Sequence, residues 1–574
     1  METRALDLLI VGAGPAGLLA SIIASALGLS YQVIEKRSGL HPEPSAHVIK
    51  THSMEVYRRV GVAAAIIKEA TPIELQECVT WCESLKGLTY GRLDLRGMKG
   101  AVPRFTQISP MHSANVPQNE LEPLLYAHAK ACAGRDSVSF STNLVEFEED
   151  RDGVRATVED SSGRRQIRAR YIIGADGASS QVRRSAGISM IGPPAIAHFL
   201  AIHIRSDARS ITERSPGVVF FIRQRTFDGF FILHRPVGSQ VFMMRFDPEK
   251  TPFETYDEAA CRKIIEKAVG DEHEFEISTI DRWAMSAQVA EHYRSGRAIL
   301  IGDAGHRFPP TGGLGLNTGV EDIENVVWKI AAVLRGQADE RLLDSYELEC
   351  RPIAVRNTNQ SVKNNSRMQD IERAIDADKG DEAFRVALEE LRQDPNNPRF
   401  ELIRRAVENQ IDHFAHLELE MAARMNEGAF VLPDRDVPLP VAPRENYQPS
   451  FMPGSHIPHF WIKPDFAALD VLRFDSFTLF CPESDASLWE RAVAALPKAS
   501  MPVNIVTING DMCSEIASVA DYWGPEPFAF LVRPDGRIAW VEPSDVGDRA
   551  RALADAIAAI MSGEIAVLKE RAKA

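Results

Sequence analysis

The sequence predicts an α/β protein in three units: a parallel sheet flanked by helices, a mixed β-sheet unit, and a smaller α/β module towards the C-terminal end. Three observations predict it. A glycine-rich turn, Gly12-Ala-Gly-Pro-Ala-Gly17, separates a short apolar strand from a helix. Between about 195 and 285 the texture changes to alternating strands rich in Phe, Ile, Val and Met. Beyond 468, the apolar runs Phe477–Phe480, Val503–Val506 and Phe528–Val532 recur around a helix near Trp489.

In chain order, residues 6–37 read as a strand–helix–strand opening. A helix follows around Ser53 to Arg59, and another over Gln118–Ala133, with Leu121, Leu124, Leu125 and Ala129 on one face. A hairpin runs from Val145 to Val158 with Asp152-Gly153 as its turn signal. The clearest strands of the second unit are Val218–Ile222, Gly229–Leu233 and Gln240–Phe246, interrupted by a helix over Tyr256–Val269. Strand Ala298–Ile301 returns to the first unit and a helix runs from near Gly319 to about Leu334. The expected division is 1–190 and 286–430 for the two parts of the first unit, with an insertion around 75–110 that serves the second. The mixed sheet takes 191–285, a proline-rich linker 431–467 and the terminal module 468–574, whose hairpin signal is Pro534-Asp535-Gly536.

Composition narrows the function classes. A net charge of -15 and a pI near 5.6 argue against a nucleic-acid partner, which needs a basic surface. The seven cysteines are scattered, and Cys78-x-x-x-Cys82 has no second pair to complete a zinc site, so no metal is expected. Free thiols suit a reducing, cytoplasmic setting. The uncharged run from Leu8 to Ile34 has the length of a membrane span, but Gly12, Gly14, Pro15 and Gly17 break it. It reads instead as a buried strand, turn and helix, with no membrane partner.

The glycine turn lets a pyrophosphate approach free backbone N–H groups at a helix start, where the dipole favours negative charge. Glu35, about 20 residues further on, is placed to bind a ribose hydroxyl. Lys36 and Arg37 either contact phosphate or are merely solvated. Two further strands end in acidic turns, Gly174-Ala-Asp-Gly177 and Gly302-Asp303, the second followed by Pro310 and the loop Thr311-Gly-Gly-Leu-Gly-Leu-Asn317. Close backbone approach at a helix N-terminus suits an anionic ring edge such as a reduced flavin. Together the three turns suit the parts of FAD.

In this order the turns resemble the single-component flavoprotein aromatic hydroxylases. Val116-Pro-Gln-Asn-Glu-Leu-Glu122, the run from Leu342 to Pro352 and the terminal module strengthen the resemblance to their phenol hydroxylase and 2-hydroxybiphenyl 3-monooxygenase branch. It implies a Rossmann-like FAD-binding domain of the p-hydroxybenzoate hydroxylase (PHBH-like) kind, a mixed β-sheet substrate domain and a thioredoxin-like C-terminal domain. FAD would contact Gly12, Gly14, Pro15, Ala16, Gly17, Glu35, Lys36, Gln118, Leu144, Asp176, Gly302, Asp303, Pro310, Gly313, Leu314, Gly315, Leu316 and Asn317. NADPH or NADH would reduce it, the Asp176-Gly177 turn serving both nucleotides. With O2 a flavin C4a-hydroperoxide would hydroxylate a phenolic or related aromatic substrate, or alternatively a polycyclic polyketide. A non-hydroxylating FAD-binding protein is a third reading. The resemblance also implies a homodimer.

Relatives carry a His or Asp near substrate and flavin where His47 stands, so His47 is the expected base or proton relay; the alternative is a loop histidine that touches FAD only. Asn115 falls where the biphenyl enzyme resembles an Asp. Ser45 replaces an Arg of many relatives, a charge that Lys36, Arg37, Lys50 or His52 would supply. His306 is expected to pack beneath its loop. The substrate pocket is expected to use Phe221, Phe231, Met243 and Trp283 beside Asn115, with small residues at Phe220 and Phe231 needed for bulky substrates. Cys481-Pro-Glu-Ser lacks a second thiol, so the terminal module has no redox role.

Overall fold

The computed structural model describes residues 5–76, 78–95, 108–270, 273–416, 419, 421, 424–433, 449–509, 512, 528–545 and 547–567. Part of the expected linker, 434–448, and part of the insertion, 96–107, lie outside these residues, as does Cys513.

Strand Leu6–Val11 is the centre of the first sheet. Its last four residues are buried, as a strand covered by helices on both faces requires. It pairs in parallel with Tyr31–Ile34 on one side and Gly163–Gly174 on the other, and the latter pairs in parallel with Ala298–Leu300. The register sets Val11 beside both Ile34 and Gly174, and Gly174 beside Leu300. All three predicted turns therefore leave the sheet at one level, on its carboxyl edge, where ligands of open α/β sheets bind. The hairpin forms from Asn143–Asp150 and Gly153–Asp160. Gly153 lies on its second strand, where a side chain would sit 2.2 Å from the Ala169 carbonyl oxygen.

Helix Pro15–Ala26 packs across the sheet, and Gln118–Ala133 forms over the residues expected of it. The helix expected from Gly319 begins four residues earlier, as Gly315–Leu334. Thr318 Oγ1 donates to the Leu314 carbonyl and Asn317 Nδ2 to that of Gly313, which closes the first turn over the glycine loop.

The second sheet has seven strands, in the order Phe275–Met285, Ala197–Asp207, Val237–Phe246, Asp228–Ile232, Val219–Arg223, Cys78–Cys82, Thr89–Asp94. The insertion thus adds two strands, and Cys78–Cys82 makes the sheet's parallel pair with Val219–Arg223. One face carries Leu200, Ile202, Phe220, Phe231 and Phe242 against helix Glu258–Val269. At the edge of the sheet, helices Asp381–Gln393 and Arg399–Glu408 cover Trp81, Tyr90 and Leu93. This part of 286–430 therefore packs on the mixed sheet rather than on the first unit.

The terminal sheet has the order Val503–Ile508, Phe477–Pro482, Phe530–Val532, Ile538–Val541, with its first pair parallel and the others antiparallel. Asp535-Gly536 turns the last hairpin, with Gly536 at φ +72°. The module is joined to the rest by buried charge. Glu349 accepts from Arg533 Nη1 at 2.7 Å, Arg533 Nη2 at 2.8 Å and Lys329 Nζ at 2.7 Å, and all three side chains are fully enclosed. No described helix is long and apolar enough to cross a membrane, and no disulfide forms among the described cysteines.

Candidate active site

The three turns converge on a cleft of about 490 Å³. Gly12, at φ +109°, is held by the second turn: a side chain there would lie 2.3 Å from the Ala175 carbonyl oxygen. Gly17 is closed in the same way by Gly12, whose carbonyl oxygen would be 1.9 Å from an added Cβ. Gly14 differs. An added Cβ would meet nothing nearer than Glu122 Oε1 at 3.9 Å, so this backbone is open to a ligand. Gly17 therefore serves packing, Gly12 is closely packed yet lines the cleft, and Gly14, Pro15 and Ala16 line it at the helix start.

Glu35 accepts from Ala13 N at 2.9 Å and from Arg37 N at 2.9 Å, which ties the glycine turn to the end of the second strand. Lys36, Arg37, Gln118 and Leu144 line the cleft beside it. Asp176 lines it too, but its carboxylate caps the short helix Gln181–Ser185, accepting from Ser180 Oγ at 2.5 Å and Gln181 N at 2.6 Å. Asp303 contrasts with it. Its carboxyl has no hydrogen-bond partner among the described residues, and enclosure by the cleft walls raises it above the usual range while its surface stays open to the interior. An unpaired carboxyl aimed into a cleft is an acceptor awaiting a hydroxyl.

Gly302, Gly315 and Leu316 also line the cleft, whereas Pro310, Gly313, Leu314 and Asn317 do not. Gly313 packs on Val48, 3.0 Å from an added Cβ. Asn317 Oδ1 accepts from Lys50 N at 2.7 Å, and Asn317 Nδ2 donates to Val48 O at 3.0 Å. Gly313 and Asn317 thus pin the loop to strand Val48–Ile49. Sequence reasoning missed Thr142, Asn143, Gln181 and Arg184 in the lining. The Arg183-Arg184 pair just after Asp176-Gly177 was the one available signal. Lys36 and Arg37 reach the cleft that Ser45 leaves short of charge; Lys50 and His52 do not line it.

Strand Val48–Ile49 pairs with Ala114–Asn115, which places Asn115 Nδ2 3.0 Å from His47 Nδ1. Burial lowers His47 from 6.5 to about 4, partly offset by Asn115, so the ring is neutral at neutral pH. Its Nε2 makes no hydrogen bond among the described residues. The His234 ring stands edge-on to it, with centroids 5.1 Å apart, and both nitrogens of His234 are buried without a partner. Asn115 Oδ1 is likewise unpaired. Such a group of unsatisfied polar atoms beside an apolar wall marks a place for a ligand.

The wall is the second face of the mixed sheet, with Met243, Trp283, Phe230 and Phe199. Phe199 stacks on Trp283 at 4.7 Å, and Phe221 stacks on Trp81 at 5.3 Å further along. Phe231 does not belong here. Strand alternation turns it to the opposite face, among Phe220, Phe242 and the helix over Glu258–Val269, and Phe230 takes the place expected of it. The same alternation removes Phe220 and Phe231 as gauges of substrate size. His306 is fully buried, 3.0 Å from Asp322 Oδ2 and stacked on Phe308.

A model of an FAD binding domain matches residues 5–361, and one of an aromatic-ring hydroxylase C-terminal domain matches 450–563. The chain is 30% identical to 2,4-dichlorophenol 6-monooxygenase of Cupriavidus pinatubonensis, over 97% of this chain and 96% of that one. It is 29% identical to a putative polyketide hydroxylase of Streptomyces halstedii, over 93% and 92%. Among solved structures, the flavin-dependent monooxygenase PieE in complex with FAD and substrate superposes with a TM-score of 0.88 at 26% identity, covering 98% of this chain and 100% of that one.

Proposed function

Because this chain belongs to the FAD-binding aromatic-ring hydroxylases, we propose that it is an FAD-dependent monooxygenase that hydroxylates a phenolic or related aromatic compound, with NADH or NADPH as electron donor and O2 as co-substrate. The observation that carries this reading is the convergence of Gly14, Glu35, Asp303 and the Gly315 helix start on one cleft, within reach of strand Val48–Ile49 and so of His47.

FAD, when bound, supplies electron transfer and oxygen activation. The chain supplies the rest. Gly14 to Ala16 and the following helix hold the pyrophosphate, Glu35 the ribose, and Asp303 a hydroxyl of the sugar chain. The start of helix Gly315–Leu334 favours negative charge on the ring edge. His47 Nε2 takes the phenol proton, making the ring electron-rich, with the Asn115 amide turned so that its Oδ1 accepts from Nδ1–H and leaves Nε2 as the free lone pair. Phe230, Trp283 and Met243 exclude water and orient a flat ring against them.

A polycyclic substrate is the second reading, favoured by the relative named a putative polyketide hydroxylase. The stacked Phe199 and Trp283 add bulk to the apolar wall, which supports a small ring. The terminal module is read as thioredoxin-like from its strand order and its antiparallel third strand. Cys481 is buried with its thiol raised to about 11, so the module serves as cover and not in thiol exchange. A cytoplasmic homodimer completes the proposal. The test is a screen of phenols against the purified yellow protein with NADPH: substrate-accelerated flavin bleaching and a hydroxylated product are expected. A colourless protein that takes up no FAD, or NADPH oxidation that never yields hydroxylated product, would refute it.

A further inference from the structure

A second cluster lies at the seam between the first unit and the terminal module. His52 and Glu55 sit one turn apart on helix Thr51–Arg59, and His456 lies in the segment that leads into the module. All three are buried, and one donor atom from each falls within 4.8 Å of the others. We propose that His52, Glu55 and His456 form a transition-metal site, suited first to Zn²⁺, that fastens the terminal module to the FAD-binding domain.

The spacing supports it. His52 Nδ1 is 3.2 Å from Glu55 Oε2, and His456 Nε2 is 3.9 Å from the same oxygen. Ligands at zinc distances around a tetrahedral centre stand roughly 3.3 Å apart, so only small side-chain shifts are needed. The outer contacts support it as well. His52 Nε2 lies 3.0 Å from Glu324 Oε2, and His456 Nδ1 lies 3.1 Å from the Ile457 carbonyl oxygen. Each imidazole thus has an acceptor for its outer N–H, the arrangement that fixes the tautomer and turns the other nitrogen's lone pair to a metal. Glu55 Oε1 is taken by Ser109 Oγ at 2.6 Å, which leaves Oε2 for the ion.

Nearby cations are neutralised locally: Arg58 pairs with Asp470, and Arg59 with Glu324. His459, three residues after His456, is buried with both ring nitrogens unpaired, and is the nearest further nitrogen donor on the same segment. Two histidines and a carboxylate select zinc over calcium or magnesium, which prefer all-oxygen shells. Binding displaces the proton on His52 Nδ1, and no electron transfer is involved.

The full-length, FAD-loaded protein, produced with zinc in the medium, is expected to hold about one zinc per chain by elemental analysis. His456→Ala should reduce this at least tenfold with flavin content unchanged, and His52→Gln should do the same. Should either variant fold poorly, Co²⁺ added to the metal-stripped parent gives a second measurement, with d–d absorption of a four-coordinate ion expected beyond the flavin bands. A parent that is metal-free and binds Zn²⁺ no more tightly than His456→Ala overturns the proposal. So does zinc that persists in the His52→Gln/His456→Ala double variant, or a Co²⁺ spectrum of six-coordinate type.

Discussion

His47 and His52 are five residues apart, yet the protein treats them in opposite ways. His47 ends beside His234 and Asn115, where burial lowers it to about 4 and polar atoms are left unpaired. His52 is as enclosed, but Glu324 and Glu55 outweigh the burial and raise it to about 10. The first cluster is uncompensated, with polar atoms unpaired; the second is closed by ion pairs. An unpaired buried group is costly and marks where a ligand completes the structure, whereas a paired one holds the structure itself.

The contrast is broken most directly at His47. His47→Ala is expected to slow hydroxylation by about 10²–10⁴-fold, the usual worth of a positioned general base, while FAD remains bound. Product formation measured beside flavin absorbance checks this, and an unchanged rate and pH profile would remove the base assignment. In the second cluster of the metal-free protein, Glu324→Gln leaves the buried His52 and Arg59 charges short of a partner and should cost about 3–5 kcal/mol of stability, read from denaturant unfolding.

The two clusters also predict opposite pH dependences. His47 stays neutral when folded down to about pH 4 but titrates near 6.5 when unfolded, and burial holds His234 well below its ordinary value. Their contribution to stability is therefore lost as pH falls below 6.5, by about 1.4 kcal/mol per pH unit for each. In the metal-free protein His52, raised when folded, contributes fully below 6.5 and loses its contribution as pH rises towards 10. Unfolding at pH 5.5, 7 and 9 should show the alkaline loss reduced in His52→Gln and the acid loss unchanged. The smallest contrast is between neighbouring phenylalanines. Phe231→Leu should cost about 1 kcal/mol of stability with substrate choice unaltered, while Phe230→Leu should change substrate preference with a smaller effect on stability.

Much of the cleft was legible in the chain. Gly14, Glu35 and Asp303 could be found because a backbone cradle and a strand-end acid have local signatures. Asp176 shows the limit: it lines the cleft as expected, but only the structure shows that its carboxylate also accepts from Ser180 and Gln181. Phe231 shows another. Alternation divides a strand into two faces, but only the helix over Glu258–Val269 decides which face is covered.

By itself the sequence determined the strand–turn–helix opening, the order of the three glycine-and-acid turns and the family they belong to, because each depends on residues a few positions apart. Only the tertiary structure decided that Val11, Gly174 and Leu300 end at one level, that His47 meets His234, and that His52 meets Glu324 and His456. Those meetings join residues separated by more than 120 positions, and charge or neutrality at a buried histidine depends on what such distant segments bring to it.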